Sequence, residues 1–310
     1  MTLCGISDEA GNRLAVQIQA TKELGWTHLE LRNVEVPGFP NGNVHDIPPE
    51  AFDALCATLE SQGMQVAGFG STIGNWASQI TDPFEASLER VDRAIPRMQR
   101  LGTKIIRVMS YAIRKDEAGK DAADQMPAER FRRLRALKQR FDDAGITMVH
   151  ENCMNYGGMS ISHALETLDQ VPGLRWVFDT GNPVFNEDRN RPGHRQDAWE
   201  FYQAVKPHIS HVHIKDGVWN AAKNDCDYLL PGQGDGQVGR VLDDLIRSGY
   251  QGFVSIEPHV SVVFHSTGAA ADLDPEAKAA EQFQSYVDYG RALEALLQRI
   301  RSGQAAPAAL

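Results

Sequence analysis

The chain has 310 residues, of which 42% are hydrophobic and 23% are charged, and its formal net charge at pH 7 is −10. These values are typical of a globular protein with a large apolar core, and they argue against a protein that binds nucleic acid through a basic face. The four cysteines lie far apart without a CxxC pair, which predicts neither a disulfide framework nor a zinc ribbon and favours a reducing cytoplasm. No apolar run reaches the roughly 18 residues that span a bilayer, and no secretory signal is visible, so we expect no membrane partner.

Short apolar runs alternate with amphipathic stretches along the chain. The runs cover residues 3–6, 28–31, 66–69, 105–109, 148–149, 176–178, 212–214 and 253–256. Between them apolar residues step by three and four, as in Phe84, Leu88 and Val91, which predicts helices, and glycines such as Gly63 and Gly102 predict their caps. Eight strand–helix units predict an α/β fold, a single-domain (β/α)8 TIM barrel over residues 1–302 with a disordered tail at 303–310.

Charged side chains end the later apolar runs. The fifth run leads to Glu151, the sixth to Asp179 and the eighth to Glu257, while the seventh carries His213. Because side chains alternate along a strand, Asp179, His213 and Glu257 should face the lumen if their apolar neighbours face the helices. In this fold the carboxyl ends of the strands surround the mouth where catalysis takes place.

These residue types at four consecutive strand ends predict a metal site with Glu151, Asp179, His213 and Glu257 as ligands. Burying several carboxylates together is costly without positive compensation, which a divalent cation supplies. Oxygen-rich ligation with one imidazole suits Mn2+, which we favour, as well as Mg2+, Co2+ or Zn2+. Hydrogen bonding of each residue to loops at the mouth is the plainer alternative. His211 shares the parity of His213 but lies deeper, which favours a hydrogen-bonded core histidine.

Four motifs resemble those of a known superfamily. They are HEN at 150–152, FDTGN at 178–182, HVHIKD at 211–216 and IEPH at 256–259. Together they resemble the sugar-phosphate isomerase/epimerase superfamily of xylose-isomerase-like TIM barrels, which includes D-tagatose 3-epimerase and inosose dehydratase. The resemblance implies that the same four residues hold the metal and that the two glutamates are an acid–base pair. Two positions depart from the epimerase branch, since Asn182 stands where that branch has a histidine and Trp219 where it has an arginine.

The predicted activity is proton abstraction next to a carbonyl by a metal-dependent sugar isomerase or epimerase. Glu151 or Glu257 would remove the carbon-bound proton, giving an enediolate, and the other glutamate would return a proton. A metal-dependent lyase or dehydratase acting on a keto-inositol or 3-keto-glycoside is the alternative, because it forms the same enediolate. An apurinic endonuclease and a catalytically silent sugar-binding barrel are further alternatives, the former opposed by the acidic charge.

Further polar residues could contact the sugar or keto-polyol substrate. They are Lys215, Asn182, His259, Glu30, Arg107 and Trp219. Glu30 and Arg107 could equally form an internal ion pair, and His259 could hold the eighth loop. Loops at 155–159 and 217–239 could cover the mouth or simply pack against it. The sequence leaves the oligomeric state open, a homo-oligomer included.

Residues 234–239 match the GxGxxG pattern of dinucleotide-binding proteins. The match does not directly follow a strand, and Asp235 would repel a pyrophosphate. We therefore interpret it as a tight turn that leads into the next helix and predict no nucleotide cofactor.

Overall fold

The computed structural model describes residues 1–260 and 274–303, so residues 304–310 of the predicted tail lie outside the described residues. Its strands are β1 (Thr2–Gly5), β2 (His28–Leu31), β3 (Asn33–Val34), β4 (Gly42–Asn43), β5 (Gln65–Gly70), β6 (Ile105–Arg107), β7 (Thr147–Glu151), β8 (Arg175–Asp179), β9 (Ile209–Ile214), β10 (Asp216–Asn220), β11 (Asp225–Leu229) and β12 (Phe253–Ile256). Its α-helices are α1 (Leu14–Glu23), α2 (Pro49–Gln62), α3 (Phe84–Leu101), α4 (Pro127–Asp143), α5 (Ile161–Gln170), α6 (Asn182–Phe185), α7 (Ala198–Val205), α8 (Val238–Arg247) and α9 (Pro275–Arg301).

Eight of the described strands form one parallel sheet in the order β1-β12-β9-β8-β7-β6-β5-β2. The two edge strands approach each other through a parallel bridge between Ile6 and Glu30, which closes the sheet into a barrel. All eight predicted strands are present, and the predicted TIM barrel is confirmed. No described helix is both long enough and apolar enough to cross a membrane.

The strands alternate between a helix-facing and a lumen-facing side, as predicted. Phe178 points outward and packs against Phe201 and Tyr202 of α7, with ring centroids 6.2 and 5.4 Å away. On the opposite side, Val177 and His213 are among the residues that line a narrow space inside the barrel. This alternation carries the polar residues of the strand ends into the lumen.

The helix boundaries follow the predicted glycine caps. Gly63 ends α2 with φ +65°, and Gly102 ends α3 with φ +69°, a conformation that costs glycine little. Pro96 lies inside α3 without ending the helix.

The GxGxxG segment binds a carboxylate of the protein itself. Asp216 lies at the start of the β10–β11 hairpin. Its carboxylate accepts hydrogen bonds of 2.7–3.1 Å from the backbone N–H groups of Gly217, Gly232, Gly234 and Gly236. The glycine-rich segment therefore closes the base of the hairpin and leads into α8, in agreement with the interpretation as a turn.

Substitution of Gly234 by alanine should destabilise the protein strongly. A Cβ atom there would lie 2.4 Å from the Gly217 carbonyl oxygen, and this backbone atom cannot move without disturbing the hairpin base. We expect Gly234→Ala to lower the free energy of unfolding by about 2–3 kcal/mol in urea titrations. Gly38→Ala, at φ +86° with no atom within 4 Å of the new Cβ, is the matched control, and it should cost only about 1 kcal/mol. Equal losses would contradict the packing argument.

Candidate active site

Four buried side chains converge at the carboxyl ends of neighbouring strands. Glu151 on β7, Asp179 on β8, His213 on β9 and Glu257 after β12 each offer a ligand atom, and these atoms lie within 4.8 Å of one another. The register of the sheet explains the convergence, because Asp179 is paired with His213 across β8 and β9. The sequence pattern pointed to these four residues, and the fold brings them together.

The imidazole of His213 lies between two carboxylates. Its Nδ1 is 3.2 Å from Oε1 of Glu151, and its Nε2 is 3.0 Å from Oε2 of Glu30. Burial alone would lower the pKa of His213, but Glu30 and Glu151 raise it well above its usual range. Glu30 therefore orients the ring with Nδ1 towards the cluster, as second carboxylates commonly do for metal-binding histidines.

His211 lies behind this arrangement. Its Nε2 is 2.7 Å from the Ser255 hydroxyl and 3.3 Å from Glu30. It thus occupies the hydrogen-bonded core position that its depth in the strand indicated.

Glu151 is held by one cation and one amide. Arg107 donates to its Oε2 at 3.0 Å, and the side-chain amide of Asn182 lies 3.4 Å from its Oε1. Burial alone would raise the pKa of Glu151, but Arg107 and His213 lower it below its usual range. The ion-pair partner of Arg107 is therefore Glu151, and Glu30 is paired with the histidines instead.

Glu257 is bound at both oxygens. Lys215 donates to Oε2 at 3.0 Å, and Arg32 donates to Oε1 at 3.2 Å. Against the effect of burial, Lys215, His259 and Arg32 hold the pKa of Glu257 well below its usual range. Arg32 was missed from the sequence, although it follows Glu30 by two residues and therefore shares its parity.

Asp179 differs from the two glutamates. Its Oδ1 accepts the N–H groups of Gly181 and Asn182 at 2.8 and 2.6 Å, whereas Oδ2 has no hydrogen-bond donor in the described part of the chain, although Lys215 Nζ is 3.3 Å away. Burial, together with Glu257 and Glu151, raises the pKa of Asp179 to about 7 despite Lys215. A buried carboxylate oxygen with an incomplete set of partners, among two more carboxylates and an imidazole, fits a divalent cation.

The remaining predicted residues lie around this cluster. Nε2 of His259 is 4.0 Å from Oε1 of Glu257, and its ring is 5.2 Å from that of Tyr228, so the β10–β11 hairpin reaches the mouth through Tyr228. Trp219, on the same hairpin, stacks against the guanidinium group of Arg195 at 3.4 Å. This contact packs Trp219 against Arg195, and its predicted contact with the substrate stays a prediction.

Comparison with known proteins assigns the family. The family model described as xylose isomerase-like TIM barrel matches residues 18–295. The chain belongs to this family. The sequence resemblance to the superfamily of these barrels is thereby confirmed, and no relative is found among curated proteins.

Three solved structures of the xylose isomerase-like fold illustrate the similarity. A xylose isomerase-like protein from Mycobacterium smegmatis, in complex with magnesium, shares 16% identity at a TM-score of 0.65, covering 96% of this chain and 97% of its own. A probable 3-DHS dehydratase from Bacillus anthracis shares 17% identity at a TM-score of 0.65, and the match covers 94% of this chain and 98% of the dehydratase. D-psicose 3-epimerase from Clostridium cellulolyticum H10, solved with D-tagatose, shares 15% identity at a TM-score of 0.64, and the match covers 96% of this chain and 99% of the epimerase. At such low sequence identities, these comparisons show that this protein and the three others share a fold.

Removing the charge of Glu30 should weaken metal binding. In Glu30→Gln the carboxylate that orients His213 becomes a neutral amide, and we expect the affinity for Mn2+ to fall by about 10–100-fold. The affinity is measured by titrating the protein with Mn2+ while the electron paramagnetic resonance signal of free Mn2+ is recorded. Glu60→Gln, on the exposed face of α2, is the control and should leave the affinity unchanged. An unchanged affinity in Glu30→Gln would show that Glu30 does not support the histidine.

Metal binding should also depend on pH around neutrality. Since the pKa of Asp179 is about 7 without a metal ion, its carboxyl group carries a proton below that pH, and this proton must leave when a cation binds. The proton on His213, whose pKa is raised, must leave as well, so the affinity for Mn2+ should be at least about tenfold lower at pH 6 than at pH 8. Calorimetry in buffers of different ionisation enthalpy should detect the released proton.

The same raised pKa also makes the stability of the metal-free protein depend on pH. The folded, metal-free protein holds a proton on Asp179 that the unfolded chain has lost above its ordinary value of 3.8. The contribution of Asp179 to stability therefore falls as the pH rises from about 4 to 7. A pH-independent affinity without proton release would contradict the assignment of Asp179.

Proposed function

We propose that the protein is a divalent-metal-dependent enzyme that isomerises or epimerises a sugar by abstracting a proton next to a carbonyl. The convergence of Glu151, Asp179, His213 and Glu257 at the mouth of the barrel carries this proposal. The similarity in fold to D-psicose 3-epimerase supports it. The four cysteines are free thiols, in keeping with a reducing cytoplasm.

In the proposed reaction the four converging residues hold one divalent cation, for which we favour Mn2+ over Mg2+, Co2+ or Zn2+. When bound, such a cation supplies Lewis-acid stabilisation of the negative charge that develops on the substrate's oxygen atoms. Glu30 keeps the His213 ring in its binding orientation, and the backbone N–H groups of Gly181 and Asn182 fix the carboxylate of Asp179. These contacts place the donor atoms before substrate binds.

Glu151 and Glu257 are the proposed acid–base pair. They extend from β7 and β12, which are separated by β8 and β9 in the barrel, so they approach the space between them from different sides. Arg107 beside Glu151, and Lys215 with Arg32 beside Glu257, keep both carboxylates ionised at neutral pH, which is the form in which a carboxylate acts as a general base. One glutamate can remove the carbon-bound proton while the other returns a proton from the opposite face.

Charged side chains of both signs line the site. Besides the three carboxylates of the cluster, Asp8 and Glu9 are buried beside Arg32, which they bind at 3.0 and 2.7 Å. Arg32, Arg107 and Lys215 are thus already engaged by carboxylates of the protein, which favours a substrate without a phosphate group. We assign Lys215, Asn182 and His259 to contacts with hydroxyl groups of a ketose or keto-polyol.

A lyase is the second candidate function. The ammonium group of Lys215 lies 3.0 Å from Glu257, so a proton donor adjoins one of the proposed bases and could protonate a departing hydroxyl group. The similar fold of a probable 3-DHS dehydratase is compatible with this chemistry. The substrate would then be a keto-inositol or a 3-keto-glycoside.

Substitution of either glutamate tests the mechanism. Ketoses, keto-inositols and 3-keto-sugars are incubated in D2O with Mn2+ and followed by proton NMR for exchange and for new products. In Glu151→Gln and Glu257→Gln, separately, we expect exchange to slow by about 10²–10⁴-fold, since the general base is lost. Glu60→Gln should exchange at the wild-type rate.

The products distinguish the two candidates. A new epimer or isomer supports the first proposal, whereas an enone chromophore with loss of water or aglycone supports the lyase. Unchanged exchange in both glutamine variants would refute the assigned roles.

A further inference from the structure

Lys215 places a positive charge directly on the proposed metal ligands. Its Nζ is 3.0 Å from Oε2 of Glu257 and 3.3 Å from Oδ2 of Asp179, and the residue is only 3% exposed. A divalent cation at this site would need carboxylate oxygens at about 2.0–2.6 Å. The ammonium group and the cation therefore compete for the same oxygens, and their like charges repel each other.

The position of Lys215 is built into the backbone around it. Its N–H donates to Oγ1 of Thr180 at 3.1 Å, and this hydroxyl donates to the Lys215 carbonyl at 2.6 Å. Gly181 leaves room for the stem, because a Cβ atom there would lie 2.7 Å from Cγ of Lys215. The main chain of Lys215 is thus fixed, and only the outer part of its side chain can move.

An alternative position for the ammonium group is close by. The centre of the Phe185 ring lies 5.7 Å from Nζ, a distance at which an aromatic face attracts a cation. Since Nζ already lies over this ring, rotation of the outer side-chain bonds could bring it nearer the ring and away from the carboxylates. The displaced charge would then remain at the wall of the site.

We propose that Lys215 is the resident counter-ion of the metal-free site and that the divalent cation displaces it. The inference rests on the proposed function, because it requires that Asp179 and Glu257 bind a metal. Lys215 then stabilises the metal-free fold by compensating two buried carboxylates. Because the cation must displace it, Lys215 also sets the metal affinity below that of the ligands alone.

The variant Lys215→Met tests the competition, since methionine keeps most of the stem and removes the charge. We expect it to bind Mn2+ about tenfold more tightly than the wild type, a change of about 1.4 kcal/mol, in titrations that follow the resonance signal of free Mn2+. Without metal its melting temperature should be lower, and Mn2+ should raise it more than in the wild type. Lys206→Met, which removes a surface lysine paired with Asp244, is the control and should bind as the wild type does.

Chemical labelling of the wild type gives a second measurement that does not need the variant to fold. Reductive methylation read by mass spectrometry should modify Lys215 several-fold faster with saturating Mn2+ than without it, while the rate at Lys206 stays constant. Unchanged or slower labelling of Lys215 would overturn the inference if Lys215→Met does not fold.

The binding data separate this inference from the proposed function. Equal or weaker Mn2+ affinity in a folded Lys215→Met, with clear binding by the wild type, overturns only the displacement of Lys215. Absence of Mn2+ binding by both proteins overturns the metal site and the inference with it.

Discussion

Neutralisation of buried negative charge is the constraint on which this site depends. Three carboxylates lie within reach of one another in the lumen, where an uncompensated charge would be costly. Each glutamate therefore forms an ion pair with a cation on or just after another strand, Glu151 with Arg107 and Glu257 with Lys215. These ion pairs hold the two glutamates ionised and fix their directions, so the geometry on which the proposed catalysis depends also makes the buried charge tolerable.

The incomplete hydrogen bonding of Asp179 leaves uncompensated negative charge in the proposed metal site. Backbone donors satisfy one of its oxygens, while the other faces the remaining carboxylates. The ion pairs and hydrogen bonds of the protein thus compensate enough of the buried negative charge for the chain to fold. The negative charge that remains is available to a bound cation. A fully paired cluster would have little affinity for an ion, and an unpaired one would destabilise the barrel.

The sequence predicted those features that depend on local periodicity. The strands, the glycine caps and the lumen-facing parity of Asp179 and His213 all follow from patterns within a few residues. The pairing of Arg107 with Glu151 and of Glu30 with His213 could not be read in this way, because it depends on which strand ends meet across the lumen. Arg32 escaped notice for the same reason, since its partners come from distant segments of the chain.

The anchoring of the glycine-rich segment on Asp216 has a consequence for how this barrel can diversify. The backbone amides that grip this carboxylate separate the β10–β11 hairpin from the strand that carries His213. Residues of the hairpin beyond that anchor can be exchanged or lengthened without shifting the donor atoms below. New substrate preferences can therefore evolve, or be introduced in the laboratory by exchange of the hairpin, while the proposed metal-binding residues stay unchanged.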